Sequence, residues 1–303
     1  MLITRSGPIS DRLYLLGTRQ NIIYLVKGKK SMLIGGAMSW IAPELEKQIV
    51  DFNIDMKSIK YVVIQHSHFD HCGLVPYVKR KYPWINVLAT EQAKKILAKE
   101  KVISYIQLVN KSMIDHYRMQ QEYQRLNLVI DRIDIDRTVD DSTVIDLGDR
   151  LEVHFVETPG HSVCAVAVHI PLLKALFPTD SAPCPFDDID TLARPSPQYD
   201  FALYRQSLSK LCGYQVEICG FDHSAAVVGA EAGQVLRNGL KLCDEYQQQI
   251  LEMYGKEGDL ETVAMHVARR TIIMEKTEFI SEDVMVPVAR AEVRNILKAA
   301  GRL

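Results

Sequence analysis

The first third of the chain alternates between short apolar runs and polar turns. Residues 13–16, 22–26 and 31–34 are apolar or β-branched and are separated by Gly17 and by the polar stretch 27–30, which predicts a strand meander. Residues 42–52 change to a helical period, with Leu45, Ile49 and Phe52 on one face. The run Tyr61-Val62-Val63-Ile64-Gln65 reads as a strand buried on both sides, followed by a histidine-rich loop, a helix over 74–80 and a strand at Asn86–Ala89. Residues 91–128 are amphipathic and free of Gly and Pro, which predicts one or two helices, with Tyr105, Leu108, Met113, Tyr117 and Tyr123 mostly as packing residues and a substrate-lining role for one or two of them as the alternative.

Strand patterns return at 144–147, 151–157, 163–170 and Ala175–Phe177. The Asp- and Pro-rich stretch 187–197 reads as a loop, Phe201–Leu211 as a helix and 216–220 as a strand. From 230 onward the pattern is helical, with expected breaks near Gly255 and Gly258. Strands followed by helices, twice over, suggest two sheets with helices outside them. The expected division is a main domain over 1–228, with a helical insert at about 91–128, and a helical extension over 229–303 that packs on the site.

Composition narrows the function classes. The 303 residues are 47% hydrophobic and 24% charged, with a formal net charge of −2, so no basic face favours nucleic acid. No apolar run reaches the roughly 20 residues that a membrane helix needs, and the first residues show no secretory pattern. The six cysteines (72, 164, 184, 212, 219 and 243) lack CxxC spacing, which argues against a disulfide framework or a thiolate zinc site and fits a cytoplasmic location.

The chemistry concentrates after the buried strand, in Gln65-His66-Ser67-His68-Phe69-Asp70-His71-Cys72-Gly73. Three imidazoles and a carboxylate within six residues suit a borderline divalent metal, and alternation puts His66 and His68 on one side. Three later strand ends each add a metal-competent side chain: His161 in Thr158-Pro159-Gly160-His161, Asp180 in Phe177-Pro178-Thr179-Asp180, and His223 in Phe221-Asp222-His223. Cys72 is expected to pack at a helix start, and His154 and His169 to be structural. His116 and His266 have no assigned role. Residues 184–188, Tyr199 and Phe201 are candidates for the pocket edge.

This motif set, in this order, resembles the metallo-β-lactamase fold superfamily over about residues 13–225. The resemblance implies an α/β (α+β) fold, a four-layer αββα sandwich with metals at one edge between the sheets. By motif position it implies that His66, His68 and His161 hold one divalent ion and Asp70, His71 and His223 a second, with Asp180 bridging. Zinc is expected first, with iron and manganese as alternatives. The chain is most similar to the glyoxalase II-like hydrolases. The tracts His66–Tyr77 and Val87-Leu88-Ala89-Thr90-Glu91 look like the alkylquinolone-signal thioesterase branch, whose members carry helical additions over the active site.

Three departures stand out. Ile34-Gly35-Gly36 replaces an Asp-Thr-Gly that often sets a carboxylate behind the metals, His223 follows Phe-Asp rather than Gly, and His68 stands where flavodiiron proteins carry Glu. The expected function is a dinuclear hydrolase in which metal-activated water attacks a small ester, thioester or lactone and Asp70 orients the nucleophile. Alternatives are a phosphodiesterase of the same fold, a mononuclear-iron persulfide dioxygenase, and a regulatory binding protein with residual hydrolase activity. The expected partner is a small molecule, without nucleic acid or membrane, and a homodimer is compatible with the chain.

Overall fold

The computed structural model describes residues 1–274 and 282–303; the part of the expected C-terminal extension at 275–281 lies outside them. After β1 (Leu2–Ile3), seven strands form one sheet in chain order: β2 (Gly7–Ser10), β3 (Leu13–Thr18), β4 (Asn21–Val26), β5 (Ser31–Ile34), β6 (Ile59–Val63), β7 (Asn86–Ala89) and β8 (Arg137–Thr138). The pairs β2 to β5 are antiparallel and joined by tight turns. From β5 to β8 the pairs are parallel, which requires crossovers. Helix α1 (Ala42–Asp51), helix α2 (Val75–Lys81) and the helices α3 (Glu91–Leu97), α4 (Glu100–His116) and α5 (Gln120–Leu126) supply them.

The second sheet contains β9 (Val144–Asp146), β10 (Glu152–Glu157), β11 (Val166–Ile170), β12 (Ala175–Phe177), β13 (Ile218–Gly220) and β14 (Ala226–Val228), with β1 closing its edge beside β14. Only its β12–β13 pair is parallel, and α6 (Phe201–Leu211) makes that crossover. Helices α7 (Glu231–Glu257), α8 (Leu260–Met274) and α9 (Glu282–Ala299) follow.

Strand alternation divides the apolar residues among three cores. On β4, Ile22, Tyr24 and Val26 face the second sheet, while Ile23 and Leu25 face the helices. Val153, Phe155, Val166 and Val168 meet the first set from the other side, closing a core between the sheets. Helices α1 to α4 cover the outer face of the first sheet, and α6 to α9 cover that of the second around Val156, Ala167 and Cys219. The layers are therefore αββα, as the motif set implied. Among the described residues no helix is long and apolar enough to cross a membrane.

Several elements differ from the pattern reading. The insert holds three helices rather than one or two, with breaks at 98–99 and at 117–119, where Arg118 takes a φ of +55°. No Gly or Pro marks these breaks, so tertiary packing sets them. Helix α7 runs through Gly255 and ends at Gly258, whose φ of +68° is the left-handed stop that glycine permits. The strand expected at 61–65 ends at Val63, which frees Gln65 for another task. Its buried side-chain amide donates to the carbonyls of Phe177 (2.8 Å) and Val166 (3.3 Å), and the Gln65 backbone carbonyl accepts from Val166 N–H. Gln65 thus ties the two sheets together one residue before His66.

The turn before His161 shows how closely the layers approach. Gly160 has φ +143°, and a Cβ there would stand 2.2 Å from Tyr204 Cα in α6. Its carbonyl accepts from the N–H groups of Tyr199 and Asp200, both at 3.0 Å, and Asp200 caps α6 by accepting from Leu203 N–H at 2.8 Å. Gly160→Ala should therefore cost about 2–4 kcal/mol of stability by overpacking and strain. Urea unfolding checks this, and an unchanged midpoint would refute the contact.

Candidate metal centre

The C-terminal ends of β6, β10, β12 and β13 point to one edge of the sandwich, and each carries a short loop. These loops hold His66 to His71, His161, Asp180 and His223, so all seven side chains singled out in the sequence meet there. Three overlapping groups have ligand atoms within 4.8 Å of one another: His66, His68 and His161; His66, His71 and Asp180; and Asp70, His71 and His223.

Asp180 lies between them. Its Oδ2 is 3.1 Å from His71 Nε2, 3.3 Å from His161 Nε2 and 3.7 Å from His66 Nε2, and its Oδ1 is 3.8 Å from His223 Nε2. Asp70 Oδ2 sits 3.5 Å from His71 Nε2 and 3.6 Å from His223 Nε2. The side chains of Asp70 and Asp180 are 25% and 24% exposed, so a small molecule can reach the cluster from that side.

The far nitrogens are held in turn. His161 Nδ1 donates to the Ser196 carbonyl at 2.8 Å and His223 Nδ1 to the Gln20 carbonyl at 2.6 Å. His66 Nδ1 meets Thr179 Oγ1 at 3.1 Å, and His71 Nδ1 meets Asp222 Oδ2 at 2.9 Å. Each contact turns Nε2 toward the cluster. His68 is turned the other way, with its Nδ1 2.9 Å from His161 Nε2.

The electrostatics favour a cation. Burial and the neighbouring imidazoles push the His66 pKa well down, and burial takes His68 down to about 3, so both rings stay neutral. Burial alone would raise Asp70 and Asp180, yet the charge and hydrogen bond of His71, with His223 and, for Asp180, His161, together outweigh it and hold both carboxyls below the usual range. Burial opposes charge on His71, but Asp70 and Asp180 override it and raise its pKa. His66 Nε2 is buried and has no hydrogen-bond partner among the described residues, a costly state for a lone pair in a protein interior. The neutral His66 and His68 rings, the ionised carboxylates and an orphaned lone pair fit a divalent metal ion, which would replace the proton that Asp70 and Asp180 draw onto His71.

The other candidates lie elsewhere. Cys72 is fully buried, its thiol pKa is pushed up by burial, and it donates to the His68 carbonyl at 3.2 Å, which suits packing rather than attack. His154 and His169 oppose each other across β10 and β11, away from the loops. His116 and His266 are exposed. Phe201, a candidate for the pocket edge, is instead 2% exposed in the core beneath α6, because the helix phase turns it inward. Tyr199 is 49% exposed. The 184–188 loop is pinned beside His223: the Phe186 carbonyl accepts from Arg19 (2.7 Å) and Ser224 (3.0 Å), and Arg19 pairs with Asp187 at 2.7 Å.

Pattern reading did not single out Thr179, Ser196 or Asp222 as supports. Asp222 alone left a trace, a carboxylate at the end of an otherwise apolar strand. Helix α9 also contributes. Glu292 is fully buried, accepts from Ser196 Oγ at 2.6 Å and pairs with Arg194, whose Nε donates to Thr271 in α8 at 2.6 Å. The loop that accepts from His161 is thus held by the C-terminal helices.

A family model described as the metallo-beta-lactamase superfamily matches residues 16–223. The metallo-beta-lactamase fold-containing protein ST1585 of Sulfurisphaera tokodaii is 26% identical over 209 residues, which is 68% of this chain and 73% of that protein. Its crystal structure, described as an archaeal metallo-beta-lactamase superfamily protein, aligns with a TM-score of 0.56 and 19% identity over 98% of both chains. A metallo-beta-lactamase family protein from Thermus thermophilus aligns with a TM-score of 0.68 and 14% identity over 97% of this chain and 95% of its own. Rubredoxin oxygen:oxidoreductase from Desulfovibrio gigas aligns with a TM-score of 0.56 and 20% identity, over 79% of this chain and 62% of its own. These structural likenesses carry the fold.

Glu292 lies beyond the matched region, yet it supports the loop behind His161. Glu292→Ala would leave a largely buried guanidinium without this carboxylate and should cost about 3–5 kcal/mol. Thermal and denaturant unfolding measure it, and a loss within experimental error would show that α9 does not hold this loop.

Proposed function

The chain belongs to the metallo-β-lactamase superfamily, and on that premise we propose that it is a dinuclear metal-dependent hydrolase of a small ester, thioester or lactone. The observation that carries this reading is the position of Asp180, one carboxylate facing both His66 with His161 and His71 with His223. His66, His68 and His161 would hold one ion, Asp70, His71 and His223 the other, and Asp180 both. Zinc is the ion proposed first, with iron or manganese as the alternatives. Bound there, two divalent ions lower the pKa of water and stabilise negative charge on a substrate oxygen.

The protein's own groups supply the rest. Asp70, a quarter exposed, accepts a hydrogen bond from the attacking water and aims it at the carbonyl carbon. Phe69 lies inside the ligand turn, and its ring meets that of Tyr105 on α4 edge to face, with centroids 6.4 Å apart. Tyr105 is 51% exposed, so beside the ligand turn it offers a largely apolar wall to the acyl portion of a substrate. A thioester of a hydrophobic acid, as in the alkylquinolone-signal branch, is the substrate class that the wall suits best.

Metal analysis combined with thioester, lactone and bis-p-nitrophenyl phosphate hydrolysis tests the reading. Two ions per chain with turnover of a carboxylic ester class are expected. One iron per chain with oxygen uptake on a persulfide would replace it with the dioxygenase reading, and phosphodiester turnover alone would replace it with the phosphodiesterase. Asp180→Ala should lose one or both ions and lower kcat at least ~100-fold. Retention of both ions and full turnover would remove the bridging role.

A further inference from the structure

The two groups of ligands are held from behind by a single carboxylate. Asp222 is 4% exposed, and its Oδ2 accepts from both His71 Nδ1 at 2.9 Å and Thr179 Oγ1 at 2.8 Å. The Thr179 hydroxyl spends its proton on Asp222, so its oxygen is the acceptor for His66 Nδ1–H at 3.1 Å. In the proposed assignment His66 holds one ion and His71 the other, and the two also meet with Asp180 in a shared group. Both rings therefore take the tautomer that directs Nε2 at the cluster because of one buried oxygen.

The surrounding backbone is built for this contact. Thr179 takes a φ of +50° and Ser224 one of +69°, conformations that side-chain-bearing residues rarely adopt. The segment between is fixed to the first sheet, with Ile22 N–H donating to the Asp222 carbonyl and Tyr24 Oη to the Phe221 carbonyl, both at 2.8 Å. The loop after β5, Gly35-Gly36-Ala37-Met38, carries no polar side chain that could supply the acceptor instead. Gly36 lies so close to the ligand turn that a Cβ would stand 2.3 Å from the His71 carbonyl oxygen and 3.0 Å from Cys72 Cα. Asp222 Oδ1 is buried with no hydrogen-bond partner among the described residues, so the carboxylate's side-chain hydrogen bonding is concentrated on His71 and Thr179.

We infer that Asp222 is the positioning residue that couples the two halves of the metal centre, acting on His71 directly and on His66 through Thr179. The inference rests on the metal-centre reading and makes an asymmetric prediction within it. Chelator-stripped protein is titrated with Zn2+ against a competing indicator, and visible spectra are recorded with Co2+. Asp222→Asn should weaken binding of both ions about 10–100-fold, the usual effect of losing such a support. Thr179→Val keeps the side-chain shape and should weaken only the ion at His66, His68 and His161, changing the Co2+ bands of that ion and leaving those of the other.

Wild-type affinity for both ions in Asp222→Asn, or loss confined to one ion, would overturn the coupling. If Asp222→Asn does not fold, Thr179→Val still decides: equal weakening of both ions, or of neither, overturns the relay. Wild-type protein that takes up no divalent ion would remove the metal centre itself, a result distinct from a failure of Asp222.

Discussion

Five imidazoles and two carboxylates share a largely buried edge of the sandwich, and desolvation is the constraint that shapes everything around them. A buried polar atom without a partner costs more than a hydrogen bond gains. Four of the five rings therefore have Nδ1 committed to a fixed acceptor: Thr179, Asp222, Ser196 or Gln20. With those nitrogens occupied, the Nε2 lone pairs can only face inward. The same contacts that make burial tolerable also choose the tautomers that a cation requires.

The acceptors come from distant parts of the chain, which links the chemistry to the fold. Gln20 belongs to the turn between β3 and β4, Thr179 and Asp222 to the ends of β12 and β13, and Ser196 to the loop before α6. Closing the core between the sheets brings these ends to one edge, and Gln65 fastens the sheets where the ligand loop begins. Backbone strain at Thr179 and Ser224 is retained because the packed sheets hold it.

The two sets of additional helices do different work. Helix α4 packs beside the ligand turn and leaves Tyr105 exposed next to Phe69, so in the proposed function the insert bears on what can bind. The C-terminal helices reach inward through Glu292 and Arg194 to the loop behind His161, so they bear on how firmly one ligand is held. Variation in the C-terminal helices would alter the metal centre without touching a ligand.

The local pattern of the chain determined the strands and helices that carry the site. Buried runs such as Val62–Ile64, ended by a polar loop, are decided by alternation and burial, and ligand-type residues at strand ends follow from their chemistry. Those two signals place His66, His68, Asp70, His71, His161, Asp180 and His223 before any contact is known. Only the tertiary structure decided the supports, because Thr179, Ser196, Asp222 and Glu292 have ordinary polar readings in isolation and gain their roles from residues far away in sequence. The breaks within 91–128 and the inward turn of Phe201 are of the same kind: helix ends without Gly or Pro, and helix phase, are set by what packs against them. Local chemistry is written in order along the chain, whereas the choice of acceptor for a buried nitrogen is made when the sheets close.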